Sequence, residues 1–471
     1  MYKKSRQIIQ IGLSAGLFVL LAGCNSTEKI TNDYRSQIST PQSWKTDNPY
    51  NSVNSTWLKE LNTLPVSEFV SKALSNNRQL KQQAFDIEIA KQQLTVAGSA
   101  LWPSLDLAIR NSRRYSEATG SYSNSNSLDL SASYEVDLWG KLSAQERSQN
   151  LRVLALNSNY QEQKNLLVAN VITTWLSVIE ANSQIKLLND RLKLVTENLE
   201  IIESGYRQGL YQALDVYLTR NELNNEKSRL FSEQANQAEQ IRKLELLIGE
   251  YPAGELVVNS KLPKLASSIP LGLPSELLSR KPSLVASWYA LLEKDAALAY
   301  AHKQRFPSIK LTGSIGPNSN ELSELLKGGN LAWSLASAIT APIFNAGRLK
   351  ANEQKALLEL QKQEVTYLDA LFNAFQEVEK GITENSVLKQ RFEATARSAE
   401  NAKLAETLSF EQYLKGLVSY NTVLDAQKRS FDAQSSLISI NNLLISNRVR
   451  LHLALGGDFA DQAVEDKLND N

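Results

Sequence analysis

Between Pro103 and Pro252 the chain contains no proline, and between Lys141 and Ile248 its only glycines are Gly205 and Gly209. Proline breaks a helix interior by removing a backbone donor and clashing with the preceding turn, and glycine costs conformational entropy there. Residues 140–249 therefore read as one very long helix that turns back on itself at 205–209. The approach to that break runs Ala181, Ile185, Leu188, Leu192, Val195, Leu199, Ile202, Tyr206. Alternating steps of four and three are the seam of a coiled coil. From Lys141 to Ser204 such a helix is about 100 Å long at 1.5 Å per residue. A compact enzyme has no use for that length.

The rest of the chain is organised as two copies of one plan. Leu74-Ser75 and Trp102-Pro103-Ser104 recur as Leu278-Ser279 and Phe306-Pro307-Ser308 at an offset of 204, and Gly209-Leu210 and Gly249 recur as Gly416-Leu417 and Gly456 at 207. A tandem duplication follows, with a first repeat over 67–249, a linker rich in proline and glycine over 250–274, and a second repeat over 275–456. Residues 457–471 form a C-terminal tail, and 24–66, polar and carrying Pro41, Pro49 and Pro65, an extended N-terminal arm.

Each repeat starts with a helix, the first over 67–101, and then changes period from 3.6 to 2. Alternation predicts strands over 104–116 and 126–138 in the first repeat and over 308–316 and 331–341 in the second. Residues 116–126, rich in Ser, Asn, Gly and Tyr, read as a loop. Each strand pair feeds directly into a long helical hairpin, with tips at 205–210 and 412–417. Strands of about nine to eleven residues suffice to cross a bilayer in a tilted barrel. The polar positions Asp106, Arg110, Asp129, Glu135 and Lys310 suit a wet lumen. Four strands do not close a barrel, and an open edge in lipid leaves backbone groups unpaired. Two copies would give eight strands and a filled lumen; three would give twelve and a channel.

The N-terminus supplies an address. Lys3, Lys4 and Arg6 precede an apolar stretch over 8–21, shorter than the roughly 20 residues of a membrane span, so residues 1–23 read as a signal peptide. Leu21-Ala22-Gly23-Cys24 resembles a bacterial lipobox, which implies a covalent lipid on Cys24. Asn25, where an Asp would favour inner-membrane retention, points to the outer membrane. Removing 1–23 takes three of the 51 basic residues and none of the 50 acidic ones, leaving 48 against 50 and no basis for nucleic-acid binding. Cys24 is the only cysteine, Met1 the only methionine, and His302 and His452 the only histidines. No metal centre, cofactor or nucleophilic catalytic pattern is expected from that set.

Duplication, strand-to-helix turns and helix tips, in this order, resemble the outer membrane factor family of TolC-like efflux ducts, in its lipoprotein branch. The turns are Asp137-Leu138-Trp139-Gly140-Lys141 and Pro342-Ile343-Phe344-Asn345-Ala346-Gly347-Arg348-Leu349. The resemblance runs from the lipobox to about Gly457. It implies a membrane α/β fold: a transmembrane β-barrel with four strands per chain and twelve in a homotrimer, continuous with a long periplasmic α-helical coiled-coil barrel. It also implies a passive outer-membrane duct for drugs or other small toxic compounds, docked through a periplasmic adaptor onto an inner-membrane efflux pump.

No covalent chemistry goes with that resemblance, so the tips are the places to look. Glycine supplies the left-handed backbone that reverses a helix, and Leu210 or Leu417 can pack over the turn. The resemblance makes Gly209, Leu210, Gly416 and Leu417 an adaptor-docking surface. It also implies a periplasmic gate just above the tips, in which aspartates with aromatic or arginine partners close the aperture: Asp215, Arg220, Tyr413 and Asp425 here. Val418 and Thr422 depart from the family pattern of an arginine and a further aspartate, which leaves more of the closure to apolar contacts such as Leu424. The competing reading is a coiled-coil structural lipoprotein of the outer membrane with no pore.

Overall fold

The computed structural model describes residues 41, 43–45, 66–258, 260–263, 271–272, 274–327 and 330–457. The signal peptide, Cys24, most of the arm 24–66 and the tail beyond Gly457 lie outside the described residues. The chain divides into a sheet unit, Ala90–Val153 with Tyr289–Val365, and a helical unit built from most of the remainder.

In the sheet unit, strands β1 (Ser104–Ser116), β2 (Ser121–Val136), β3 (Ser308–Ser319) and β4 (Leu331–Thr340) form one antiparallel sheet in that order. The register decides what the sheet is for. Leu107 pairs with Leu130, Leu130 with Ile315, and Ile315 with Trp333. Directly opposed residues share a face, so Leu105, Leu107 and Ile109 of β1 join the odd-spaced apolar residues of the other strands in one continuous apolar face. Leu105, Ile109, Trp333 and Leu335 on it are all more than two-thirds exposed. The opposite face carries Asp106, Asp129, Glu135 and Lys310, with Glu135 paired to Lys310 across the strands and Arg110 Nη1 3.5 Å from Asp129. Strands β1 and β4 are both left as edges.

Two predicted bounds shift by three residues or more. The loop over 116–126 is mostly strand, because β1 and β2 pair all the way to Ser116 and Ser121. Its composition is polar, but the ladder is carried by backbone and cross-strand pairs: Tyr115 lies 5.0 Å from Tyr122, Arg113 sits over the Tyr122 ring, and Asn111 donates to Asn126 at 2.7 Å. Strand β3 likewise runs on to Ser319 rather than stopping at 316.

The predicted helix over 67–101 is two helices, α1 (Val66–Asn76) and α2 (Arg78–Ser99). Asn77 makes the break: its Oδ1 accepts the Leu80 amide at 3.0 Å, and its Nδ2 donates to the Leu247 carbonyl at 3.2 Å. An Asn cap competes with helix continuation in this way. The first long hairpin is α3 (Lys141–Arg207) and α4 (Ala213–Leu247). The short α5 (Leu277–Arg280) and then α6 (Pro282–Lys303) open the second repeat, whose hairpin is α7 (Arg348–Leu414) and α8 (Tyr420–Ala454). Duplication is visible in the lengths, 67 and 35 residues in each hairpin. The helical unit has its core where α1, α3, α4 and α8 converge on Trp175, Ile172, Leu176 and Ile179, all fully buried.

The seam along α3 is not the apolar row read from the sequence. Positions 181, 184, 188, 191, 195, 198 and 202 are buried, so Gln184, Arg191 and Asn198 replace Ile185, Leu192 and Leu199 at every second step. The heptad spacing survives, but α3 faces two neighbours at once. Gln184 donates to the Ser435 carbonyl on α8 at 3.0 Å, and Arg191 reaches both α4 and α8.

Candidate functional site: the helix tips

Both tips end in the same hydrogen-bonded cap. At the first, Leu210 N donates to Gly205 O at 2.9 Å and Gly209 N to Tyr206 O at 2.9 Å; at the second, Leu417 N donates to Gln412 O at 3.0 Å and Gly416 N to Tyr413 O at 2.8 Å. This pair of bonds is the Schellman motif. Gly209 and Gly416 take φ of 76° and 69°, and a Cβ at either would meet nothing within 4 Å. The left-handed backbone, not space, requires glycine there. Gly205 differs: a Cβ would fall 2.1 Å from the Tyr211 ring, so its hydrogen leaves room for Tyr211.

Leu210 and Leu417 do not pack over their turns as expected, being 69% and 70% exposed. A Schellman cap's apolar contact needs an apolar residue at the third position from the end, and Gly205 and Gln412 stand there. Each tip therefore presents one bare leucine.

Just behind the tips, the two hairpins of one chain are joined by a tyrosine cluster. Tyr413 of α7 is buried and donates its hydroxyl to Asp215 Oδ2 of α4 at 2.9 Å. Its ring stacks on Tyr211 at 5.2 Å and meets Tyr420 at 5.1 Å. Val216, Ile202 and Val423 complete the buried core of the cluster, with Leu424, Val418 and Leu218 packed around it. Burial first, and then the Asp215 carboxylate, push the Tyr413 phenol up, so it stays a donor throughout the physiological range.

The other residues taken from the resemblance lie elsewhere. Arg220 pairs with Glu203 of α3, Nη2 to Oε1 at 2.8 Å, inside the first hairpin and with neither aspartate. Asp425 is exposed and accepts from Arg429, one turn along α8, at 2.8 Å. Asp215 and Tyr413, with Leu424 beside them, are thus the candidates that the fold brings together.

Sequence reasoning missed a second tie between the hairpins. Arg191 of α3 donates to Glu226 Oε1 at 2.7 Å, to Glu222 Oε1 at 2.6 Å and to the Gln427 carbonyl of α8 at 2.6 Å. Arg191 and Glu226 are both buried, and Arg229 also reaches Glu226, at 3.1 Å. Burial pushes the Glu226 carboxyl up, against the pull of Arg191 and Arg229. The available signal was the spacing of Gln184, Arg191 and Asn198 by sevens within a buried stripe.

A model of the outer membrane efflux protein family matches residues 69–250 and 273–457. The toluene efflux pump outer membrane protein TtgF of Pseudomonas putida is 30% identical over 400 residues, covering 83% of each chain. A probable outer membrane lipoprotein of Salmonella typhimurium, SilC, is 28% identical over 399 residues, covering 84% of this chain and 86% of its own. Among solved structures, the open state of the Neisseria gonorrhoeae MtrE outer membrane channel superposes with a TM-score of 0.81 at 25% identity, covering 92% of this chain and 98% of its own.

Proposed function

Because this chain belongs to the outer membrane efflux protein family, we propose that three copies assemble into a passive exit duct whose far end is held shut at the tyrosine cluster. The single observation that carries the reading is the sheet register. It gathers the apolar residues of four strands onto one face and leaves two unpaired edges. Edges of this kind are not stable in hydrocarbon, where each unpaired backbone group costs several kcal/mol, so the sheet must continue into another copy. Three copies give twelve strands and a lumen lined by the polar face.

In this reading the helical hairpins project into the periplasm. A lipid on Cys24 tethers each chain to the outer membrane, and Leu210 and Leu417 receive a periplasmic adaptor that links the duct to an inner-membrane pump. Two bare leucines beside glycine turns offer an apolar anchor to a partner helix at little conformational cost. Docking opens the duct by separating Tyr413 from Asp215 in each copy. The cargo is drugs or other small toxic compounds; the relatives include a protein named for toluene efflux. Recording from the purified full-length protein in planar bilayers tests the proposal. Discrete ionic currents from the wild type or from Tyr413→Phe, which lacks the closing hydrogen bond, support a duct, whereas a stable fold without current in either supports a structural stalk and sinks it.

A further inference from the structure

The two hairpins of a chain are tied at two levels, and the ties differ in kind. At the tips the tie is one hydrogen bond, from Tyr413 to the half-buried Asp215 at 2.9 Å. About 27 Å back from Gly209, at 1.5 Å per residue along α3, stands Arg191. Its Nη1 donates to the Gln427 carbonyl of α8 at 2.6 Å. One turn further along α8, the Phe431 ring meets two guanidinium groups of the first hairpin, with Arg191 5.1 Å from the ring centroid and Arg229 5.5 Å. Both lie within the roughly 6 Å at which an aromatic face attracts a cation.

One carboxylate orders this hub. Glu226 is fully buried and accepts at Oε1 from Arg191 at 2.7 Å and from Arg229 at 3.1 Å, while Glu222 accepts from Arg191 Nη2 at 2.6 Å. Both glutamates and both arginines belong to the first hairpin, so the guanidinium groups are fixed before Phe431 meets them and lose little further freedom on contact. Parting the hairpins here gives up a charge-assisted hydrogen bond from a buried arginine and two cation–π contacts. Parting them at the tips gives up one hydrogen bond with a partly solvated acceptor. The tips yield first.

Behind the hub the packing is open on one side. A cavity of about 480 Å3 lies between α3, α4 and α8, bordered by Gln184, Leu188, Arg229, Phe431 and Ser435. Phe431 and Arg229 can therefore tilt without separating. The next tie beyond is a single neutral hydrogen bond, from Gln184 Nε2 to the Ser435 carbonyl at 3.0 Å.

We propose that Phe431, held by Arg191 and Arg229, is the pivot at which the parting of the hairpins stops, so that these residues set how wide the duct opens. The inference rests on the duct reading, in which docking parts the hairpins at their tips. It gives the two ties different tasks: the bond from Tyr413 to Asp215 decides how often the duct opens, and the hub decides how far. The lever from hub to tip is about 27 Å; with the hub lost, parting runs back to Gln184 and the lever grows to about 38 Å. For the same swing the tips then move about 1.4 times as far, and the aperture area grows about twofold.

Single-channel amplitude reads that area, the tip being the narrowest section. The test records purified full-length Y413F, Y413F with F431L, and Y413F with F431W in planar bilayers, Y413F supplying frequent openings. Leucine keeps an apolar side chain without an aromatic face, whereas tryptophan keeps the face and has the cavity to extend into. The leucine variant should pass about twice the current per channel of Y413F, and the tryptophan variant the same current as Y413F. A leucine variant that melts earlier but keeps the amplitude of Y413F overturns the proposal, because Phe431 is then a packing residue only. A tryptophan variant as wide as the leucine one also overturns it, since the aromatic face would not be the tie. Should F431L fail to assemble, R229Q at its exposed position removes one of the two cations; in the Y413F background it should enlarge the amplitude, and an unchanged amplitude overturns the proposal. The two readings fail separately: currents of unchanged amplitude remove the pivot and leave the duct intact, and absence of current in the wild type and Y413F alike removes the duct and the pivot with it.

Discussion

Replacing Tyr413 by Phe removes one oxygen and leaves the ring that packs on Tyr211 and Tyr420. The bond lost runs from a buried hydroxyl to the half-buried Asp215 carboxylate at 2.9 Å. Hydrogen bonds to charged groups contribute about 1.5–3 kcal/mol, and partial exposure of Asp215 favours the lower end. In a ring of three copies opening together, the closed state loses about 4–5 kcal/mol relative to the open one. At 1.4 kcal/mol per decade that is about a thousandfold in the closed-to-open ratio. Planar-bilayer recording of the purified variant should show long openings where the wild type shows brief or partial ones. Arg220→Gln is the control, since Arg220 serves Glu203; it should leave open probability unchanged. If Y413F gates like the wild type, or if R220Q opens the duct as Y413F does, the hydrogen bond is not the latch.

Leu210→Asp with Leu417→Asp should abolish adaptor crosslinking in cells and restore drug sensitivity while leaving the thermal unfolding midpoint unchanged, because both leucines are largely exposed. Arg191→Met should destabilise the helical unit by about 3 kcal/mol in denaturant melts, as expected for stranding one partner of a buried pair; adding Glu226→Gln should recover much of that loss. Burial acts to raise the Glu353 carboxyl, but His302 and Arg305 outweigh it and hold the group below its ordinary value of 4.5. A depressed carboxylate contributes stability that is present above 4.5 and lost as pH falls through the lowered value. The gap in melting temperature between wild type and Glu353→Gln should therefore be open at neutral pH and close in acid.

The duplication, the four strands and both hairpins were legible because each rests on a strong local rule: proline and glycine placement, alternation, or a recurring spacing. Asn77 was less legible, since one polar residue inside a helical pattern breaks it only when its amide finds the Leu247 carbonyl, a partner 170 positions away. The α3 seam misled for a related reason. Burial beside two neighbouring helices admits Gln184 and Arg191, whose partners on α8 no local pattern announces. Of the gate residues taken from the resemblance, Tyr413 and Asp215 meet, while Arg220 and Asp425 find charges on their own hairpin or helix. Spacing along a helix places a charge on a face, but the nearest opposite charge decides where it pairs. Tyr211 went unnoticed because its importance lies in the missing Cβ of Gly205.

The duct requires that the free edges β1 and β4 close against neighbouring copies. Single cysteines placed for Leu107 on β1 and Leu335 on β4, both exposed, and joined in the intact outer membrane by a short bis-maleimide linker, report on this directly. The account predicts a ladder of covalent species that ends at three copies. A chain that remains monomeric, or a ladder that ends at two or runs past three, contradicts it.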